Sequence, residues 1–182
     1  MLRYISINGL LFVILISSKI KGEEMSEVTE EQKMHHYMGI EMNIQTWNLL
    51  GKEDRNEQDD VRMVNFAQAS LYHWRKSHKY EPVNEQRGQW MLSHVYAVLD
   101  KGKEALYYAN ETSRLTKEQD LKEFDLAYSY EALARANAAL GNKKECAKWL
   151  EKAQEAGTLI QREEDKKYFI TDLESAPWFD CK

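Results

Sequence analysis

An internal repeat with a period of 41 residues lies in the second half of the chain. When the sequence is shifted by that length, Leu92 aligns with Leu133 and Ala105 aligns with Cys146. Each copy reads leucine, six intervening residues, leucine, five intervening residues, and then a small residue. Repeats of this length usually stack on one another, because one unit cannot bury its own apolar face. The fold must therefore be one that stacks similar units.

Helix breakers are scarce, with two prolines and eight glycines among 182 residues, and apolar residues recur at three- and four-residue steps. No segment alternates apolar and polar residues over the length of a strand. We therefore expect an all-α fold of about seven helices, and the short turns between them predict antiparallel hairpins. The predicted helices cover about 28–50, 59–76, 84–99, 103–116, 121–140, 143–156 and 163–174.

The two copies resemble the tetratricopeptide repeat, in which small residues alternate with large apolar ones across a pair of helices. Matching residues in the later copy are Tyr130, Leu133, Ala134, Leu140, Gly141, Cys146, Leu150 and Ala153. Asn137 departs from the family pattern, where an aromatic residue is usual, and Asp100 replaces the turn glycine in the earlier copy. The resemblance covers about residues 86–157, and its period is longer than the standard period of about 34 residues.

This resemblance implies a single domain over residues 25–182, built of helical hairpins stacked as a short right-handed solenoid. The hairpin over about 28–76 would be a degenerate third repeat, and the last helix would be a cap. Uncharacterised bacterial repeat proteins look similar. Solenoids of this family offer a concave groove, so the resemblance implies a protein or peptide partner.

Residues 1–24 form an apolar N-terminal extension that precedes the acidic stretch beginning at Met25. The apolar run Ile5–Ile16 is shorter than the roughly 20 residues that a spanning helix needs. We interpret it as an extension before a start at Met25, with a signal peptide and a retained membrane anchor as alternatives. The predicted location is cytoplasmic, or exported or membrane-anchored if residues 1–24 are genuine.

The charge balance argues against a nucleic-acid partner. The formal net charge is −5, from 25 lysines and arginines against 30 aspartates and glutamates, and no basic stripe is present. Nucleic-acid binding without sequence preference needs a concentrated field of lysine and arginine. We also expect no metal and no cofactor, since no metal-ligand spacing is found.

The two cysteines are interpreted as unpaired. Cys146 occupies a position where the repeat buries a small apolar residue, and Cys181 is the penultimate residue. One disulfide is an alternative, but we predict one buried structural thiol and one loose thiol.

Polar and aromatic side chains are concentrated in the predicted first three helices and the start of the fifth. These candidate binding residues are His36, Asn43, Trp47, Ser70, His73, Trp74, Arg87, Trp90, His94, Asp125 and Tyr128. On the first helix, Trp47 also belongs to an apolar face with Ile40 and Ile44. Tryptophan and tyrosine would supply contact area in a groove, while Arg87 and Asn43 would hold a carboxylate or a peptide backbone.

Core packing is the alternative interpretation of these residues. Tryptophans at helical spacing are more often core than site, and Arg87 could simply pair with Asp59, Asp60 or Glu85. Three of the histidines could together ligate a metal, but nothing in the sequence places them close in space.

Known catalytic signatures, such as phosphate loops and metalloprotease motifs, are not found. Two functions remain. The first is a non-catalytic interaction module that binds a peptide or protein in a concave groove. The alternative is a small-molecule-binding protein or enzyme, with a pocket of histidine, tryptophan and arginine among the first three helices.

Overall fold

A computed structural model describes residues 27–181 as seven α-helices joined by short loops, with no strand among them. The helices are α1 Glu30–Leu50, α2 Glu57–Lys76, α3 Pro82–Val98, α4 Gly102–Glu118, α5 Glu123–Ala139, α6 Lys143–Thr158 and α7 Glu163–Glu174. The prediction of an all-α fold with about seven helices is confirmed. The interpretations of residues 1–24 lie outside the described residues. None of the seven helices is both long and apolar enough to cross a membrane.

Local sequence signals explain where the first helices begin. The Thr29 hydroxyl accepts a hydrogen bond from the Gln32 backbone N–H at 3.1 Å, and the Gln32 side chain accepts one from the Thr29 backbone N–H at 3.0 Å. Asn56 and Asp59 form the same reciprocal pair at the start of α2. These capping boxes satisfy N–H groups that a helix leaves unpaired at its start. Pro82 opens α3, where its missing N–H costs nothing.

Sequential helices form three hairpins, α1 with α2, α3 with α4, and α5 with α6. The hairpins are in turn joined side by side, because α2 packs on α3 and α4 packs on α5. The first helices of the second and third hairpins, α3 and α5, also touch each other directly, and α7 packs on α5 and α6. This arrangement brings α3, α5 and α7 together on one side of the molecule.

The 41-residue period reappears in the helix boundaries. Both α3 and α5 contain 17 residues, and every position in α5 lies 41 residues after its equivalent in α3. Leu92 and Leu133 are both buried, and Ala105 and Cys146 are both fully buried. Small side chains at these last two positions allow the second helix of each hairpin to approach its neighbour closely.

The hairpin turns show why an aspartate can replace the turn glycine. Gly141 has a φ of 71°, and its equivalent, Asp100, has a φ of 56°. Both residues therefore have the left-handed conformation that commonly ends a helix. Aspartate tolerates this conformation better than most other residues do, so the departure in sequence preserves the turn.

The prediction of two unpaired cysteines is wrong. Cys146 is fully buried as expected, but it forms a disulfide with Cys181, with the two Cα atoms 6.3 Å apart. The chain after α7 folds back over α5 and α6, where Trp178 is buried. The disulfide therefore ties the C-terminal segment to α6.

Candidate functional site

The candidate residues divide into two groups that lie in different parts of the molecule. Four of them lie between α1 and α2, namely His36, Ser70, His73 and Trp74. Six others line a cleft, namely Asn43, Trp47, Arg87, Trp90, Asp125 and Tyr128. The remaining candidate, His94, is buried behind the tryptophans of the cleft, with its ring 5.3 Å from that of Trp90.

The first group joins two helices. The Nδ1 atoms of His35 and His73 lie 2.7 Å apart, so one ring must donate the proton and the other must accept it. The Ser70 hydroxyl donates to the Gly39 carbonyl at 2.7 Å, and the Trp74 ring packs against the His36 ring at 5.2 Å. All these contacts run between α1 and α2, so the residues serve the packing of that hairpin.

The three histidines that the sequence offered as possible metal ligands do not lie together. His36 and His73 lie in the α1–α2 hairpin, whereas His94 lies on α3 beside the cleft. Across residues 27–181, no three side chains of histidine, cysteine, aspartate or glutamate are grouped so that they could hold a metal ion.

The His35–His73 contact makes stability sensitive to mild acid. Burial lowers the pKa of His73, and the neighbouring His35 lowers it further. The unfolded chain, where His73 has a pKa of about 6.5, therefore takes up the proton first. This contribution to stability is complete above about pH 6.5 and decreases as the pH falls toward the folded-state pKa.

Thermal unfolding midpoints measured at about pH 7.5 and about pH 5.5 should show this loss of stability. His73→Gln should have a smaller pH dependence, and an unchanged dependence would contradict this assignment.

The second group lines a partly open cleft of about 500 Å³, which we call the aromatic cleft. Residues from α1, α3, α5 and α7 form its walls. Its aromatic lining consists of Trp47, Trp90, Phe124, Tyr128 and Tyr168. Its polar lining consists of Asn43, Gln86, Arg87, Asp125 and Asp172, and Met91 completes it.

Arg87 is already paired within the cleft. Its guanidinium donates two hydrogen bonds to the Asp125 carboxylate, at 2.8 and 3.0 Å. The partners that the sequence suggested for Arg87, namely Asp59, Asp60 and Glu85, each pair with a different cation. Arg87 does form an ion pair, but the predicted identity of its partner is wrong. A ligand carboxylate would have to compete with Asp125 for Arg87.

Asp172 brings a second carboxylate into the cleft. Its Oδ2 accepts a hydrogen bond of 2.6 Å from the Tyr128 hydroxyl. Burial raises the pKa of Asp172, and the hydrogen bond from Tyr128 only partly opposes that effect. Burial and the contact with Asp172 together raise the pKa of Tyr128. The phenol therefore stays protonated and acts as a donor to Asp172.

A buried ion pair supports the back of the cleft. Trp90 donates its indole N–H to Glu131 at 2.9 Å, and Arg135 donates to the same carboxylate. Glu131 is 0% and Arg135 is 1% exposed. Burial alone would raise the pKa of Glu131, but the positive charge of Arg135 and the contact with His94 lower it to about 2. The carboxylate therefore stays charged and fixes the orientation of the Trp90 ring.

Sequence reasoning missed Glu131 and Arg135. Their only signal is the appearance of two opposite charges, four residues apart, in the small and apolar stretch EALARANAAL. Such a pair on a solvated helix surface is common. Here it lies on the one helix that contacts α3, α4, α6 and α7.

Gln86 leaves an acceptor unused in the wall of the cleft. Its Nε2 donates to the Thr116 hydroxyl at 3.0 Å and to the Asp125 backbone carbonyl at 3.2 Å. Because a carbonyl can only accept, this pairing fixes which end of the amide is Nε2. The Oε1 atom is buried and has no hydrogen-bond partner among the described residues. Buried polar atoms are usually paired, so an unpaired acceptor on a residue that lines the cleft is unusual.

The apolar face of α1 is turned outward. Tyr37, Ile40, Ile44 and Trp47 are 62%, 40%, 46% and 37% exposed, and we call these four residues the α1 stripe. The helix buries the opposite face instead, where His35, Gly39 and Thr46 lie against α2. Because Trp47 belongs to both features, the α1 stripe continues into the aromatic cleft.

Comparison with known proteins gave no matching family model, and no match among curated sequences or solved structures.

Proposed function

We propose that the protein is a non-catalytic interaction module, whose partner is a peptide or protein helix that lies along the α1 stripe and enters the aromatic cleft. The observation that carries this proposal is the outward-facing α1 stripe. A helix normally turns its apolar face to the core, and contiguous exposed apolar residues mark interaction sites more often than chance.

The dimensions of the α1 stripe suit a helical segment. From Tyr37 to Trp47 the helix rises about 15 Å, at about 1.5 Å per residue. A partner helix of about three turns covers that length and presents apolar side chains at matching three- and four-residue steps. The cleft at the end of the stripe then accepts one longer side chain.

The proposal includes the architecture that the sequence resemblance implies. The three hairpins would stack as a short right-handed solenoid of the tetratricopeptide type. In support, the cleft is lined by the first helices of the hairpins, α1, α3 and α5, and by α7. Such solenoids bind their partners on an extended concave surface.

A small-molecule-binding protein or enzyme is the second candidate. The cleft volume of about 500 Å³ supports it, because small-ligand sites usually measure about 300–1,000 Å³. His36 and His73, which this candidate placed in the pocket, lie instead between α1 and α2. That separation favours the interaction module.

The Cys146–Cys181 bond supports an exported location over the cytoplasmic one expected from the sequence. Disulfides persist in oxidising compartments and are rare in the cytosol. A nucleic-acid partner is not proposed, since the net charge is −5.

Peptide selection tests the proposed function. A displayed library of random peptides of about 16 residues, enough for about four helical turns, should yield binders to the wild-type protein. The double variant Ile40→Ser with Ile44→Ser should bind the selected peptides about 30-fold more weakly, since about 1 kcal/mol is lost per isoleucine.

Val61→Ser with Leu159→Ser is the matched control, because both residues are exposed aliphatic side chains outside the stripe and the aromatic cleft. It should bind the selected peptides with wild-type affinity. The proposed function would be contradicted if no peptide were selected, or if both double variants lost the same affinity for the selected peptides.

A further inference from the structure

We infer that the aromatic cleft takes a cationic group, the ammonium or guanidinium of a lysine or arginine side chain on the bound segment. This inference rests on the proposed function, since it names the side chain that the partner inserts. Three features of the cleft support it independently: its charge, its aromatic walls and its unused acceptor.

The formal charges that line the cleft leave one negative charge without a cation in the lining. The positive charge of Arg87 is balanced by the negative charge of Asp125, which accepts two hydrogen bonds from the guanidinium. Asp172 receives only a neutral donor, the Tyr128 hydroxyl, on its carboxylate. Arg135 donates to the backbone carbonyl of Asp172 at 2.8 Å, and its charge is matched by Glu131. A cation in the cleft would therefore meet an uncompensated carboxylate.

The aromatic walls favour the same charge. The Trp47 and Trp90 rings lie 6.0 Å apart with an angle of 33° between their planes, and Trp47 is partly exposed at the entrance. Aromatic faces attract cations through their negative quadrupole, and tryptophan does so most strongly. The cleft already contains one example, because the Arg87 guanidinium lies 5.7 Å from the centre of the Phe124 ring. An incoming ammonium would meet the partly exposed ring of Trp47, which packs against the buried ring of Trp90.

Gln86 adds a neutral acceptor. The residue lines the cleft and is 1% exposed, and its Oε1 has no partner among the described residues. An ammonium or guanidinium carries only donors, so it complements this atom, whereas a carboxylate does not. An anionic ligand would also lie next to Asp172 and would have to displace Asp125 from Arg87.

Three small probes of equal chain length separate charge from apolar contact: n-hexylammonium, n-hexanol and n-hexanoate. Titrations followed by tryptophan fluorescence should give an affinity for n-hexylammonium at least about tenfold above that for the other two probes. Asp172→Asn keeps the acceptor for Tyr128 and removes the charge, so it should lower n-hexylammonium affinity about tenfold and leave n-hexanol binding unchanged.

Glu174→Gln removes the same charge from an exposed position on α7 and is the matched control. Trp47→Leu provides a second variant that keeps apolar area at the partly exposed entrance. It should weaken binding of n-hexylammonium more than binding of n-hexanol. Equal affinities for n-hexylammonium and n-hexanol, tighter binding of n-hexanoate, or no effect of Asp172→Asn would each overturn the inference.

The peptide library distinguishes this inference from the proposed function. If the selected peptides share a lysine or arginine whose replacement by norleucine costs about tenfold in affinity, both stand. If peptides are selected whose binding needs no basic residue, the interaction function stands and the inference is overturned. If no peptide is selected but n-hexylammonium binds as described, the cationic site stands and the proposed function fails.

Discussion

Glu131→Ala is expected to lower the free energy of unfolding by about 3–5 kcal/mol, which is the usual result of removing one partner from a buried ion pair. The substitution leaves the Arg135 guanidinium buried with its charge unmatched. It also removes the acceptor for the Trp90 indole N–H. Urea unfolding followed by circular dichroism should show a lower midpoint with an unchanged slope.

Glu111→Ala is the matched control for this prediction. Glu111 pairs with Arg114 on the exposed surface of α4, where both groups remain in contact with water. Exposed ion pairs contribute about 0–1 kcal/mol, so this variant should unfold close to the wild-type midpoint. Equal losses in Glu111→Ala and Glu131→Ala would show that the ion pair of Glu131 is not buried in solution.

The Glu131 carboxylate should also make the stability of the protein depend on pH in acid. The pKa of Glu131 is lowered to about 2 in the folded protein, against about 4.3 in an unfolded chain. Its contribution to stability is therefore present above about pH 4.3 and is lost as the pH falls toward about 2. Glu131→Gln should unfold with a weaker dependence on pH across that interval.

Local patterns were sufficient to predict the helices. The spacing around Leu92 and Leu133 placed α3 and α5, because apolar periodicity acts over a few residues. The pairing of Cys146 with Cys181 could not be predicted in the same way. It depends on how the chain after α7 folds back, which no local pattern specifies.

The sequence predicted which residues share a helix face in the candidate site, but not which of them meet in space. His36 and Trp47 lie on one face of α1, and sequence spacing shows that correctly. They are separated by about 16 Å along the helix, so His36 meets the end of α2 while Trp47 meets α3. Residue spacing shows which side chains share a helix face, but it does not show which neighbouring helix each of them contacts along the length of that face.

The burial of the Glu131–Arg135 ion pair could not be predicted from the sequence. Glutamate and arginine are almost never fully buried unless they are paired, so the sequence alone favours an exposed position for Glu131 and Arg135. Burial of the pair follows from the central position of α5, which contacts α3, α4, α6 and α7. Only the assembled helices reveal that position.

Reduction of the Cys146–Cys181 disulfide is expected to lower the free energy of unfolding by about 3–4 kcal/mol. The two cysteines are 35 residues apart, and a crosslink closing a loop of that length removes about this much chain entropy from the unfolded state. Unfolding midpoints with and without dithiothreitol measure the effect. Cys181→Ser should match the reduced wild-type protein and should not respond to dithiothreitol.

A thiol count provides the direct check on this second prediction. The oxidised, denatured protein should show no thiol that reacts with Ellman's reagent, because both of its cysteines are bonded to each other. Two reactive thiols without reductant, or identical midpoints in the oxidised and reduced proteins, would contradict the bond.

The two stability predictions should also interact. Arg135 donates to the carbonyls of Ser175 and Pro177 at 3.2 and 3.1 Å, and its guanidinium lies 4.2 Å from the Trp178 ring. The disulfide therefore holds in place the segment that covers Arg135. Once the disulfide is reduced, the segment can move and water can reach an unpaired guanidinium. Glu131→Ala should then cost less in the reduced protein than in the oxidised protein, since effects that share one contact network are not additive.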